Sequence, residues 1–256
     1  MTVKLFDLAH ITAVADAIRA QSGVGGLMTV QQMPEKIGAL IAKERREVWL
    51  HAPAQKNGAL FIDTGVAGDM EHTLEVVGYG NIYSSSTLFG SVTATSSRQV
   101  VDMLTSTMKW RFAWGNSGLK SYEYPVETIS PWHPATIRFN KNGFTVNGFT
   151  RGFSAATVQE DYSAAVTGAA STANYAIFPS LTKPNEGGYT GVFRSAKVFD
   201  ADGATLLHHF VPVLYGDWSL ALLDKVSGAE IPLPSGAAGY GAHWEPYHDE
   251  LMGLTA

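Results

Sequence analysis

Residues 187–236 read GGYTGVFRSAKVFDADGATLLHHFVPVLYGDWSLALLDKVSGAEIPLPSG. Short apolar and β-branched runs alternate there with turn residues, the pattern of consecutive antiparallel strands. Residues 192–199 form one predicted strand, and Asp200-Ala201-Asp202-Gly203 its turn. Residues 206–214 pair back, and 219–224 follow after Tyr215-Gly216-Asp217. A chain that ends in such hairpins is built from sheets.

The same grammar extends upstream. Residues 48–50, 59–63 and 72–79 read as strands, with Thr64-Gly65 as a turn. Residues 108–115, MKWRFAWG, set Met, Trp, Phe and Trp against Lys, Arg and Ala, the period-2 signature of a half-buried strand. Residues 135–139 and 144–148 flank Asn140-Lys141-Asn142-Gly143, a hairpin in which Asn-Gly is expected to supply positive φ. Residues 155–172 lack a firm period and read as a loop or weak strands. Residues 173–178 add a strand, and 184–188 a turn. About ten strands with no intervening helices predict a mainly β, two-sheet antiparallel sandwich over 46–236.

Before the sandwich, 11–21 (ITAVADAIRAQ) places Ile11, Val14, Ala15 and Ile18 on one helical face. Gly23, Gly25 and Gly26 end that helix, and Pro34, Ile37, Leu40 and Ile41 suit a second. Helices this short are marginal alone, so residues 1–45 are expected to pack on another surface or on copies of themselves. Lys43 to Glu47 is a charged exit. The tail 237–256 begins with Gly and Ala, yet its Trp244, Tyr247, Leu251 and Met252 want burial.

Composition narrows the function. Net charge is −5 with scattered basic residues, so no phosphate-neutralising patch argues for nucleic acid. Cysteine is absent, which excludes disulfides and thiolate zinc. No run is long enough to span a bilayer, and the start has too short an apolar run for a signal peptide. The expectation is a protein kept in the cytosol or leaving it within a particle.

Several stretches share wording with a known family. Residues 59–65 (ALFIDTG), 88–90 (LFG, which the resemblance makes a turn into the next strand), 135–148 (ATIRFNKNGFTVNG) and the closing hairpins resemble concanavalin A-like (laminin G-like) sandwich domains of tail proteins from phages of Gram-positive bacteria. A second resemblance, to a segment recurring in tail, fibre and baseplate proteins of such phages, rests on Ala15-Asp16-Ala17-Ile18-Arg19, Thr29, Gln32-Met33-Pro34 and Ile37. Together they imply a jelly-roll sandwich, a virion location, other tail or baseplate proteins as partners, and a homo-oligomer, with a trimer favoured. The implied ligand is host cell-wall polysaccharide or another surface glycan. Such sandwiches often hold calcium at a rim, for which Asp200 and Asp202 are candidates, although a tight turn needs Asp and Gly there anyway.

Catalytic patterns are weak. A retaining glycosidase needs two carboxylates on one groove; Glu123 and Glu127 are separated by Pro125, and the adjacent Glu160 and Asp161 point apart on a strand. His243, Glu245, His248 and Asp249 resemble a metal cluster, but Pro246 opposes the helix that would align them. His208 and His209, neighbours on a strand, face opposite ways. No cofactor emerges from the residues. Trp110, Phe112 and Trp114 suit the core. Tyr122, Tyr124 and Trp132, near Asn116 and His133, are the candidate glycan contacts. The resulting expectation is a non-enzymatic receptor-binding protein; the alternative is a structural adaptor with no sugar ligand.

Overall fold

The computed structural model describes residues 15–17, 20, 45–51, 60–80, 86–94, 97–104, 109–115, 133–149, 154–161, 171–181, 186, 191–216 and 219–233. Ala15, Asp16, Ala17 and Ala20 are helical, with Ala15 buried and Asp16 exposed. The rest of the expected helical module and the tail 237–256 lie outside the described residues. Two compact units divide the chain: Met1–Arg46 with Leu214–Ser219, and Glu47–Val213 with Leu220–Ala256.

The described residues form β1 (Arg45–Glu47), β2 (Leu50–His51), β3 (Ile62–Ala67), β4 (Thr73–Tyr79), β5 (Ser86–Ala94), β6 (Ser97–Leu104), β7 (Lys109–Gly115), β8 (Ala135–Asn140), β9 (Gly143–Phe149), β10 (Ala155–Asp161), β11 (Asn174–Ile177), β12 (Val192–Phe199), β13 (Leu206–Tyr215), β14 (Leu220–Asp224) and β15 (Glu230–Pro232). The larger sheet runs β10-β9-β8-β4-β12-β13-β14-β15, with β1 beside β13 and β2 beside β12; the smaller runs β3-β11-β5-β6-β7. Pairing is antiparallel, and the two sheets pack as a sandwich.

Alternation sorts each strand into a core side and an outer side. Leu74 and Val76 (β4), Ile137 and Phe139 (β8), Phe144 and Val146 (β9) meet Phe89 (β5), Val101 (β6) and Trp110, Phe112 and Trp114 (β7) in one buried cluster. Aromatic contacts cross between the sheets. Phe112 stacks on Phe144 at 3.9 Å and 8°, and Trp114 meets Phe139 edge-on at 5.6 Å and 87°. Such pairs add about 0.5–1.5 kcal/mol each beyond area burial. The MKWRFAWG aromatics are therefore core, as their spacing predicts.

Some local expectations are corrected. Thr64 and Gly65 are not a turn but lie inside β3. Gly65 takes φ 72°, Asp63 Oδ1 accepts its N–H at 2.8 Å, and Thr64 Oγ1 donates to the Tyr175 carbonyl at 2.7 Å, so β11 holds the strand on course. Leu88-Phe89-Gly90 lies inside β5. β6 lacks a strand signature in the sequence because its outward Arg98 and Asp102 and inward Gln99 break the apolar alternation. Residues 155–161 are a full strand whose inward side chains, Ala156 and Val158, are small. The Asn140–Gly143 turn needs no positive φ at Asn142 or Gly143. Asn140 Oδ1 instead accepts both of their N–H groups, at 2.8 and 3.2 Å.

Candidate functional site

The outer side of the larger sheet gathers side chains from many strands into rows, because register and alternation together set every neighbour. One row crosses β10 to β13 as Gln159–Thr145–Arg138–Glu75–Lys197–His209. The next reads Thr157–Asn147–Thr136–Val77–Ser195. Beyond it, on the same face, Phe149 lies opposite Ala155 and Tyr79 opposite Val192. Asn147, Thr157 and Gln159 are exposed; Thr136, Thr145, Phe149 and Tyr79 are half-buried. The Tyr79 ring leans on Trp49 at 5.9 Å and 52°, beside Val77 and Val192.

Charge on this face is largely spent internally. Glu75 accepts from Lys197 Nζ at 2.8 Å and lies 3.6 Å from Arg138 Nη1. Glu47 pairs with Lys225 at 2.6 Å and with Arg194 at 3.2 Å. Arg138 also donates to the Gly203 carbonyl and covers the Phe199 ring at 4.4 Å. Burial, reinforced by Lys197 and Lys225, lowers the His209 pKa below the usual imidazole value. The side-chain hydroxyl and amide groups of Thr136, Thr145, Asn147, Thr157 and Gln159, by contrast, take part in no hydrogen bond among the described residues. They are left for solvent or ligand.

Other polar clusters hold the fold. On the outer side of the smaller sheet, Arg111 clasps Asp102 with two nitrogens, and Arg98 donates to the Leu181 carbonyl at 2.9 Å. Burial pushes the Asp102 carboxyl up to about 6 against the pull of Arg111 and Arg98. At the sandwich end, the Asp69 carbonyl accepts from Gln99 Nε2 at 2.6 Å and from the Tyr175 hydroxyl at 3.0 Å, pinning the β3–β4 loop. Asp224 accepts from Ser227 Oγ at 2.7 Å, His209 N at 2.9 Å and Val226 N at 3.1 Å, and lies 2.9 Å from His208 Nδ1. Ser227 donates to the carboxylate rather than to the imidazole, so the trio is not a nucleophile–base relay.

Of the residues proposed from sequence as glycan contacts, His133 is half-buried just before β8. Tyr122, Tyr124, Trp132 and Asn116 lie outside the described residues, as do Glu123, Glu127, His243, Glu245, His248 and Asp249. Asp200 and Asp202 direct oxygens into their own turn: Asp202 Oδ1 accepts Ala204 N at 2.6 Å, and Asp200 Oδ1 accepts Thr205 N at 3.2 Å. His208 and His209 do diverge, one to Asp224 and the other to the outer face. The outer rows escaped sequence reading because they need the β4–β8 and β4–β12 pairings. Alternation in ATIRFN, FTVNGF and AATVQED still marks which residues face outward.

No family model matches the chain, and no curated protein does. Among solved structures, it is similar to Scytalido-glutamic peptidase with a peptide-based transition state analog, at 9% identity and TM-score 0.27, over 73% of this chain and 84% of that one. It is also similar to SCP-B, a member of the eqolisin family of peptidases, in complex with the tripeptide Ala-Ile-His, at 9% identity, TM-score 0.24 and the same coverage. The expectation that the chain is not an enzyme is corrected on this finding. At these scores the likeness assigns no peptidase activity and no catalytic residue.

Proposed function

We propose that the chain is a tail-associated protein of a Gram-positive phage or prophage, and that its sandwich recognises carbohydrate on the host cell surface. The observation that carries this is a conjunction. Tail-protein wording in residues 15–37 precedes a two-sheet sandwich whose hairpin wording is that of concanavalin A-like (laminin G-like) domains. The strand order suits a jelly roll of that kind: β4 lies between β8 and β12, and β11 between β3 and β5, so neighbours in space are distant in sequence.

In this reading the helical amino-terminal module serves attachment to other tail or baseplate proteins and oligomerisation, with a trimer favoured. Copies act together, because shallow single-site sugar contacts are weak and multivalency raises them. The protein is assembled in the host cytoplasm and resides in the virion.

The test is capture of the full chain, displayed multivalently, on an array of bacterial glycans and cell-wall polysaccharides. A reproducible hit is expected. A hit weakened by Tyr122→Ala, Tyr124→Ala or Trp132→Ala would locate the contact in residues 116–133. Silence across the array would turn the reading to a structural adaptor.

A further inference from the structure

We infer that the outer face of β8–β10, bordered by Tyr79 and Phe149, is the carbohydrate-binding surface, and that its ligand is a neutral polysaccharide chain. This rests on the carbohydrate-binding function proposed above and adds its place and its ligand class.

The face offers mostly uncharged hydrogen-bonding groups, with Arg138 on β8 and Asp161 at the end of β10 as its charged members. Thr136, Thr145, Asn147, Thr157 and Gln159 occupy three adjacent strands, and their side-chain groups are unspent. Strand spacing of about 4.8 Å and same-face spacing of about 6.7 Å along a strand make them a lattice of donors and acceptors. Sugar hydroxyls both donate and accept, so they match hydroxyl and amide side chains in either role. Half-buried Tyr79 and Phe149 stand at one border, where ring faces can take the C–H face of a pyranose.

Charge selects among ligands. Four cations, Arg138, Lys197, Arg194 and Lys225, share two carboxylates, Glu75 and Glu47, but three of the four lie on β12 or after β14. On β8–β10 the outward charges are Arg138 and Asp161, one of each sign, so these strands carry no net charge that calls for an anionic polymer. A protein partner would want an apolar centre to its interface. Among the described residues the exposed large hydrophobic is Val226, in the β14–β15 turn and off this face.

The test is biolayer interferometry of the full chain over immobilised neutral glucan, galactan and rhamnan and over teichoic acid. Capture on a neutral chain, indifferent to salt, is expected. The double variant Asn147→Ala, Thr157→Val should weaken it about ten- to thirtyfold, two hydrogen bonds' worth. Its melting temperature should not move, since these exposed side chains hold nothing in the fold. Phe149→Ala should weaken capture as well.

Neutral-chain capture unchanged by these variants would overturn the location and leave carbohydrate binding standing. Preference for teichoic acid, lost in high salt and on Lys197→Ala, would overturn the neutral ligand. Capture on neither class would remove the carbohydrate-binding reading and this inference with it.

Discussion

Gly90 sits in the middle of β5 with φ 153°, and a Cβ built there would lie 2.0 Å from the Gln99 carbonyl oxygen on β6. Backbone strain and a backbone clash coincide, so Gly90→Ala is expected to cost about 2–4 kcal/mol in denaturant unfolding. Arg111 is a different kind of constraint. It is the clasp on a carboxylate that is 1% exposed. Arg111→Met strands that charge and should cost about 3–5 kcal/mol near neutral pH. The Asp102 pKa is raised, so the ionised form is the penalised one, and part of the loss should return as pH falls below about 6. Unfolding curves near pH 7 and near pH 5 read the difference. Asp224 works in the opposite sense. Burial raises its pKa, but hydrogen bonds from Ser227, His209 N, His208 and Val226 N outweigh it and hold the carboxyl at about 2, below its ordinary 3.8. Its stabilisation is present above about pH 4 and lost on the way down to pH 2, roughly 2 kcal/mol by linkage. Asp224→Asn should flatten that acid limb.

At the scale of elements, the β8–β9 hairpin is closed by one side chain. Asn140→Ala removes the acceptor for two turn N–H groups and should cost about 1 kcal/mol. Gly143→Ala should cost more, because a Cβ there would come within 2.2 Å of the Glu160 carbonyl on β10. Both losses are read by thermal unfolding. This hairpin also shows where sequence reading works and where it stops. Its strands were legible because Ile137, Phe139, Phe144 and Val146 alternate with polar residues. Its turn was legible in place but not in mechanism, since the expected positive φ gives way to an Asn side-chain bond. The β12–β13 hairpin was legible for the same reason: apolar runs bounded by an Asp-Gly turn. β6 was not, because Asp102 becomes intelligible only beside Arg111 of β7, nine residues away. Gly90 resembles a turn glycine in the sequence, since a positive-φ glycine inside a strand has no local signature that separates the two.

At the scale of the molecule, two sheets enclose a core rich in Phe and Trp, of which Trp110, Phe112 and Trp114 were legible from sequence. The proposed binding face was not. Thr136, Asn147 and Thr157 follow one another at ten or eleven residues along the chain, and only register makes them one row. The same register adds Arg138, Glu75 and Lys197 as a paired charge row and leaves the hydroxyl and amide groups free for a ligand. Recognition by such a surface depends on intact sugar rings, which gives the central claim a direct test. The full chain, displayed multivalently, is offered to purified Gram-positive cell walls before and after periodate oxidation, which cleaves vicinal diols and so destroys most pyranose rings. The account predicts binding to intact walls and its loss after oxidation. Equal binding to oxidised walls would contradict it.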